Sequence, residues 1–114
     1  MRQREIKKMW LAALESGEYE QGYGQLYNKL NKAFCCLGVL QHCLLDGEVE
    51  VAETDEHPIF KEGDFIGLPS KWFYDKFPQL GWVKQEAFEL AEMNDNGNSF
   101  KEIAAYIRSE WKVS

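Results

Sequence analysis

The sequence lacks several features that would assign the protein to a functional class. No apolar run is long enough to cross a bilayer, and charged residues follow Met1 where a signal peptide would be apolar. Only two histidines, His42 and His57, are available as catalytic imidazoles. Because the sequence has neither a long apolar run nor an apolar start, we expect no membrane partner and a location in the cytoplasm.

Basic residues are also scarce. Lysine and arginine number 13 against 19 aspartates and glutamates, which gives a net charge of -6. Binding to a nucleic-acid backbone needs clustered cations, so we expect no direct nucleic-acid binding. A short basic patch contains Arg2, Arg4, Lys7 and Lys8, and such a patch is typical of a solvated helix face. The acidic balance instead suits solubility, or a partner with a basic surface.

The three cysteines do not form a disulfide framework. Their number is odd, and Cys35 and Cys36 are adjacent, which rarely allows a bridge between them. Together with Cys43 they are predicted to be reduced thiols, as in a cytoplasmic protein.

Helical periodicity is strongest at the two ends of the chain. Residues 6–14 have apolar side chains at helical spacing, and Gly17 is placed to end this predicted helix. The residues of this apolar stripe are Ile6, Met9, Trp10, Ala13 and Leu14. Near the other end, Ser99 and Glu102 form a capping-box pattern. It precedes a second stripe: Phe100, Ile103, Ala104, Ile107 and Trp111.

The middle of the chain is mixed. A hairpin is predicted from residues 25–27 and 33–35, followed by a buried helix that starts at Cys36 and ends near Asp46. Residues 48–64 are acidic and irregular. A short edge strand is predicted within this segment at 49–51, and a second short strand directly after it at 65–66.

Two more helices are predicted, over 70–77 and 83–93, with a turn at 94–97. The overall prediction is a single α+β domain over residues 1–114. It has four to five helices around a short β-hairpin or small antiparallel sheet.

Cys36 is the first candidate for chemistry. A thiol at a helix N-terminus has its pKa lowered by the helix dipole, and a nearby histidine can activate it. His42, however, is predicted to face away from Cys36, and His57 lies in the acidic loop. Cys36 and His57 are therefore weak catalytic candidates, and packing of the thiols as small apolar groups is the favoured interpretation.

Metal motifs are incomplete. The cysteines and His42 include no C-x-x-C or H-x-x-x-H pair, so zinc is not predicted. The turn at Asn94, Asn96 and Gly97 resembles part of a calcium loop, but Ile103 occupies the position that needs a bidentate glutamate. We predict neither a metal nor a cofactor.

A glycine-rich turn is the best candidate for binding a ligand. The G-x-G pattern places backbone N–H groups where they can hold a phosphate, while a tyrosine stacks on a base. A lone G-x-G pattern is weak evidence, and a tight turn into the hairpin is the favoured interpretation. The candidate ligand-binding residues are Tyr19, Gln21, Gly22, Tyr23, Gly24 and Gln25. The acidic loop supplies candidate partner-binding residues at Glu53, Asp55 and Glu56.

Three motifs carry a resemblance to a known family. They are SGEYEQGYGQL at residues 16–26, CCLGVL at 35–40, and LAEMNDNGNSFKEIAAYI at 90–107. The chain resembles a family of small uncharacterised proteins common in tailed-phage and prophage genomes. It departs from that family at Met93 and at Gln41-His42, and residues 48–64 have no counterpart there.

The resemblance implies a phage accessory protein acting in the cytoplasm of a bacterial host. It suggests a non-enzymatic binding protein that inhibits a host defence system by binding a host protein or sequestering a small nucleotide. A cysteine-dependent enzyme using Cys36 and a structural phage component are the alternatives. Self-association into a homo-oligomer also stays open.

Overall fold

The computed structural model describes residues 1–28, 30–45 and 68–113, and their architecture is α+β. The helices are α1 (Gln3–Glu15), α2 (Cys36–Leu45), α3 (Lys71–Lys76), α4 (Gly81–Asp95) and α5 (Phe100–Glu110). The strands are β1 (Glu20–Gln21), β2 (Tyr27–Asn28) and β3 (Ala33–Phe34), and a 3-10 helix spans Pro78–Leu80. The predicted fold class is confirmed. The strands predicted at 49–51 and 65–66, and the predicted end of the buried helix near Asp46, lie outside the described residues.

Helix α1 follows the predicted stripe. Its buried face packs on α2 and α5 and consists of Ile6, Trp10, Leu11 and Leu14. Gly17 has a φ of +78°, the left-handed conformation expected of a glycine just beyond a helix. At the other end of α1, the Arg2 backbone N–H donates to the Glu5 carboxylate at 3.0 Å. Amphipathic spacing and local capping therefore explain this helix.

The sheet contains the predicted hairpin and one further strand. β2 pairs antiparallel with β3, which confirms the hairpin. β1 pairs parallel with the other side of β3, so the strand order is β1-β3-β2. Nothing in the sequence indicated β1, because a two-residue strand has no periodicity to detect.

Helix α2 lies directly against the sheet. Gly38 faces the Leu26 backbone so closely that a Cβ at this position would collide with the Leu26 carbonyl oxygen. The Trp10 indole N–H donates to the Cys36 carbonyl at 2.9 Å, which ties α1 to the first turn of α2. Because α2 is packed against α1, α4 and β3, nearly every residue along it is buried.

Helix α5 begins at the predicted capping box. The Ser99 hydroxyl accepts from the Glu102 backbone N–H at 3.2 Å, and the Glu102 carboxylate accepts from the Ser99 N–H at 3.0 Å. At its C-terminal end, the buried Trp111 ring stacks on Trp82 with centroids 5.5 Å apart and meets Trp10 edge-on at 6.3 Å. These rings join α1, α4 and the end of α5 into one core.

Helix α4 is longer than predicted. It continues to Asp95 and therefore includes Asn94, which the sequence placed in a turn. The chain reverses at Gly97, whose φ is +96°. No helix in the described ranges is long and apolar enough to span a membrane.

Candidate functional site

The three motifs of the sequence meet at Asn94, a fully buried residue in the last turn of α4. Its Oδ1 accepts from the Gln21 side-chain amide at 3.0 Å and from the Cys36 backbone N–H at 3.2 Å. Its Nδ2 donates to the Gly22 carbonyl at 2.8 Å. One amide group thus fixes the glycine-rich turn against α2 and α4.

Further hydrogen bonds hold the rest of the turn. The Gly24 N–H donates to Asp95 Oδ1 at 2.8 Å, and the Gln21 amide also donates to the Asn98 carbonyl at 2.8 Å. Gly24 has a φ of +76°, a conformation that glycine adopts without strain. The turn is therefore a fixed element.

Two hydrogen bonds donated by the backbone N–H groups of this turn argue against the predicted binding of a phosphate by those groups. The Gly22 N–H donates to the Phe34 carbonyl at 2.7 Å, and the Gly24 N–H is taken by Asp95. Both N–H groups are engaged inside the protein, and a carboxylate occupies the place an anion would take at Gly24. These two N–H groups therefore do not form an anion cradle, and the tight-turn interpretation describes the geometry.

The accessible part of the turn borders a groove on α4. Tyr23 is 57% exposed, and Phe88 on α4 is 66% exposed, which is unusual for large aromatic side chains. The groove has a volume of about 230 Å³. We call it the Phe88 groove, and it is lined by Gly24, Leu68, Phe88, Ala91, Glu92, Asp95 and Asn96.

Tyr19 belongs to a different cluster. Its hydroxyl lies 2.7 Å from His42 Nδ1 and 3.6 Å from Cys43 Sγ. Its ring meets the rings of Phe34 and His42 edge-on, with centroids 5.2 and 5.4 Å away. α2 therefore brings a thiol and an imidazole to one phenol. Sequence reasoning missed this grouping, although the adjacency of His42 and Cys43 was a signal for it.

The structure corrects the expectation for Cys36. Burial raises the pKa of the Cys36 thiol well above its ordinary value, and it raises the pKa of Cys35 from 9.0 to about 11. The loss of hydration outweighs the hydrogen bonds from the backbone at the start of α2. The lowered pKa predicted for Cys36 is therefore wrong, and both thiols pack as small core groups.

The remaining predicted site residues are Gln25 and those of the acidic loop. Glu53, Asp55, Glu56 and His57 lie outside the described residues, so their roles stay predictions. Gln25 is half-buried beside the turn. Within residues 1–28, 30–45 and 68–113, no three His, Cys, Asp or Glu side chains are grouped as a metal site would require.

Comparison with known proteins assigns a family. No curated protein and no solved structure matches the chain. A family model described as "Domain of unknown function (DUF8296)" matches residues 1–71. The match contains α1, the three strands and α2, and it ends before α4, which carries Phe88 and Asn94. Because the match covers more than half of the chain, the protein belongs to the DUF8296 family.

Proposed function

We propose that the protein is a phage-encoded, non-enzymatic binding protein that inhibits a host defence protein by docking on the Phe88 groove. The observation that carries the proposal is the exposure of Phe88 in a groove that Gly24 of the fixed turn also lines. The phage context rests on the resemblance of the three sequence motifs.

The rigidity of the groove supports a role in binding. Large aromatic side chains near the centre of an interface contribute much of its affinity when they become buried. Here one wall is the helix α4, and the other is the turn that Asn94 and Asp95 hold by hydrogen bonds. A surface that is already ordered loses little conformational entropy on binding, so more of the contact energy appears as affinity.

The charge around the groove favours a basic partner. Glu92 and Asp95 are the charged side chains among its lining residues. Leu68, which also lines the groove, directly follows residues 46–67 in the chain. That stretch contains eight of the 19 acidic residues and one of the 13 basic residues. We infer that the partner presents apolar side chains flanked by lysine or arginine, which speeds association by electrostatic steering.

The alternative functions have less support. An enzyme based on Cys36 needs a thiolate, and burial of Cys36 disfavours one. Sequestration of a nucleotide through the glycine-rich turn would need N–H groups that Gly22 and Gly24 have already used. Binding of a protein partner uses features that are accessible, namely the exposed ring of Phe88 and the groove that it lines.

The test is to co-purify the tagged protein from a phage-infectable bacterial host and measure complexes by native mass spectrometry. We expect a stoichiometric complex with one host protein that is lost in Phe88→Asp and retained in Glu89→Lys. Glu89 is an exposed neighbour on α4 that does not line the groove. The host protein should lose its defence activity in the presence of the parent protein or of Glu89→Lys, and keep it in the presence of Phe88→Asp.

Two outcomes would contradict the proposal. A complex that survives Phe88→Asp would exclude the groove as the docking site. A bound mass in the range of a nucleotide, without any protein partner, would favour sequestration of a small ligand. Circular dichroism of both variants controls for folding, and neither change should affect it because both side chains are exposed.

A further inference from the structure

A second groove lies between α1 and α5. Its volume is about 460 Å³, twice that of the Phe88 groove. Its lining residues are Arg4, Lys7, Lys8, Leu11, Ala12, Glu15, Arg108 and Val113. The sequence predicted a solvated basic face on α1. The structure adds Arg108 and Val113 as an opposing wall. We call this the α1–α5 groove.

The basic side chains of the groove differ in their hydrogen bonds and ion pairs. Lys7 Nζ donates to the carbonyls of Arg108 and Trp111 at 3.1 and 2.6 Å, and therefore caps the end of α5. Arg108 pairs with Glu15 at 2.5 Å. Arg4 and Lys8 are exposed and form no ion pair or hydrogen bond with the residues that the structure describes.

The arrangement of Arg4 and Lys8 favours an anionic occupant. They lie four residues apart on α1, and like charges at this spacing repel each other and weaken a helix. The lining contains one carboxylate, Glu15, and Arg108 already neutralises it. A bound carboxylate would remove the repulsion and would not have to displace an existing partner of Arg4 or Lys8.

The shape of the groove favours a helix over a compact ligand. Lining residues on α1 extend from Arg4 to Glu15, a length of about 16 Å at 1.5 Å per residue. They change along the helix from basic, at Arg4 and Lys8, to apolar, at Leu11 and Ala12. None of the lining residues is aromatic, so a nucleotide base would find no ring to stack on.

We propose that the α1–α5 groove binds an amphipathic helix of a partner protein, acidic in its first turn and aliphatic in the next two. This is the helix-in-groove mode of recognition. The carboxylates contact Arg4 and Lys8, and the aliphatic side chains cover Ala12 and Val113 beside Leu11, which is almost fully buried. This site is independent of the Phe88 groove, whose acidic lining calls for a partner of opposite charge.

The probe is a fluorescein-labelled helical peptide of about 14 residues, long enough to span the groove. It carries glutamates in its first turn and leucine and alanine along the same face. Its binding is measured by fluorescence anisotropy to the full-length protein and to Arg4→Glu/Lys8→Glu. The matched control, Lys84→Glu/Lys101→Glu, makes the same change in net charge at exposed positions outside the groove.

We expect the groove variant to lose about tenfold or more in affinity and the control about twofold or less. The same peptide with lysine in place of glutamate should not bind. Phe88→Asp should leave the affinity unchanged, which separates this test from that of the proposed function. Thermal melts of all variants should agree with the parent, because the altered side chains are on the surface.

Three results would overturn the proposal. One is no binding of the acidic peptide at low salt, and another is an equal loss in both double variants, which would indicate an effect of net charge alone. The third is displacement of the peptide by ATP at a concentration similar to that of the protein, since this would identify a polyphosphate as the preferred occupant.

Discussion

Asn94 and Gly22, 72 residues apart in the chain, are joined by a hydrogen bond of 2.8 Å from the Asn94 Nδ2 to the Gly22 carbonyl. The same amide accepts from Gln21 and from the Cys36 backbone N–H. A buried amide can satisfy both donors and acceptors at once, which a carboxylate cannot do. The turn beside the Phe88 groove depends on this property of asparagine.

Replacing Asn94 by aspartate should therefore destabilise the fold. Asn94→Asp leaves the Gly22 carbonyl without its donor and buries a carboxylate next to Asp95, at a cost of about 2–4 kcal/mol. Urea denaturation measures this change. Asn96→Asp, an exposed substitution two residues further along the chain, is the control and should alter the free energy of unfolding by less than about 0.5 kcal/mol. Equal midpoints for the two variants would show that Asn94 does not hold the turn.

Gly38 should tolerate no side chain. In Gly38→Ala the new methyl group would meet the Leu26 carbonyl oxygen, so α2 must move away from the Leu26 backbone at a cost of about 3 kcal/mol or more. Gly81→Ala is the matched control, because a Cβ there meets no atom within 4 Å and the position is helical. That change should be neutral or stabilise by up to about 1 kcal/mol. A Gly38→Ala protein as stable as the parent would contradict the close packing of α2 on the sheet.

The three thiols should differ in reactivity with iodoacetamide. Cys43 is half-buried, whereas Cys35 and Cys36 are buried and their pKa values are raised. Because the thiolate is the reacting form, peptide mass spectrometry should find Cys43 alkylated first. Cys35 and Cys36 should react only after denaturant is added. If Cys36 were alkylated as fast as Cys43 in the native protein, Cys36 would again be a candidate nucleophile.

Stability should decrease in alkaline solution. Burial raises the pKa of Cys35 from 9.0 to about 11, so the folded protein holds this proton more tightly than the unfolded chain. Its contribution is fully present below pH 9 and is lost as the pH rises through about 11. The full effect of such a shift is about 3 kcal/mol. Chemical denaturation at a series of pH values should show a shallower alkaline decline in Cys35→Ala than in the parent. Parallel curves would contradict the raised pKa.

Removal of the hydroxyl should affect stability differently at two tyrosines. The Tyr74 hydroxyl is buried without a hydrogen-bond partner in the described part of the chain, and this burial raises the pKa of Tyr74. Tyr74→Phe should therefore leave stability unchanged or raise it by about 1 kcal/mol. Tyr19→Phe removes the 2.7 Å contact with His42 and should cost about 1 kcal/mol. Thermal melts of the two variants test this difference, and a loss in Tyr74→Phe would reveal a partner for that hydroxyl.

The sequence by itself determined the elements whose causes are local. The stripes of α1 and α5, the capping box of Ser99 and Glu102, and the hairpin of β2 and β3 were all predicted and confirmed. Side chains three or four residues apart on a helix share a face, and a cap bonds to backbone within its own turn. Such features are therefore present in any short window of the sequence.

Only the tertiary structure decided which distant residues meet. The parallel pairing of β1 with β3, the bonds of Asn94 to Gly22 and Cys36, and the placement of Arg108 beside the basic face of α1 link separate segments. The burial that raises the pKa of Cys36 has the same origin, because it comes from helices packed around α2. No local pattern encodes these contacts, since they depend on how complete elements pack around one core.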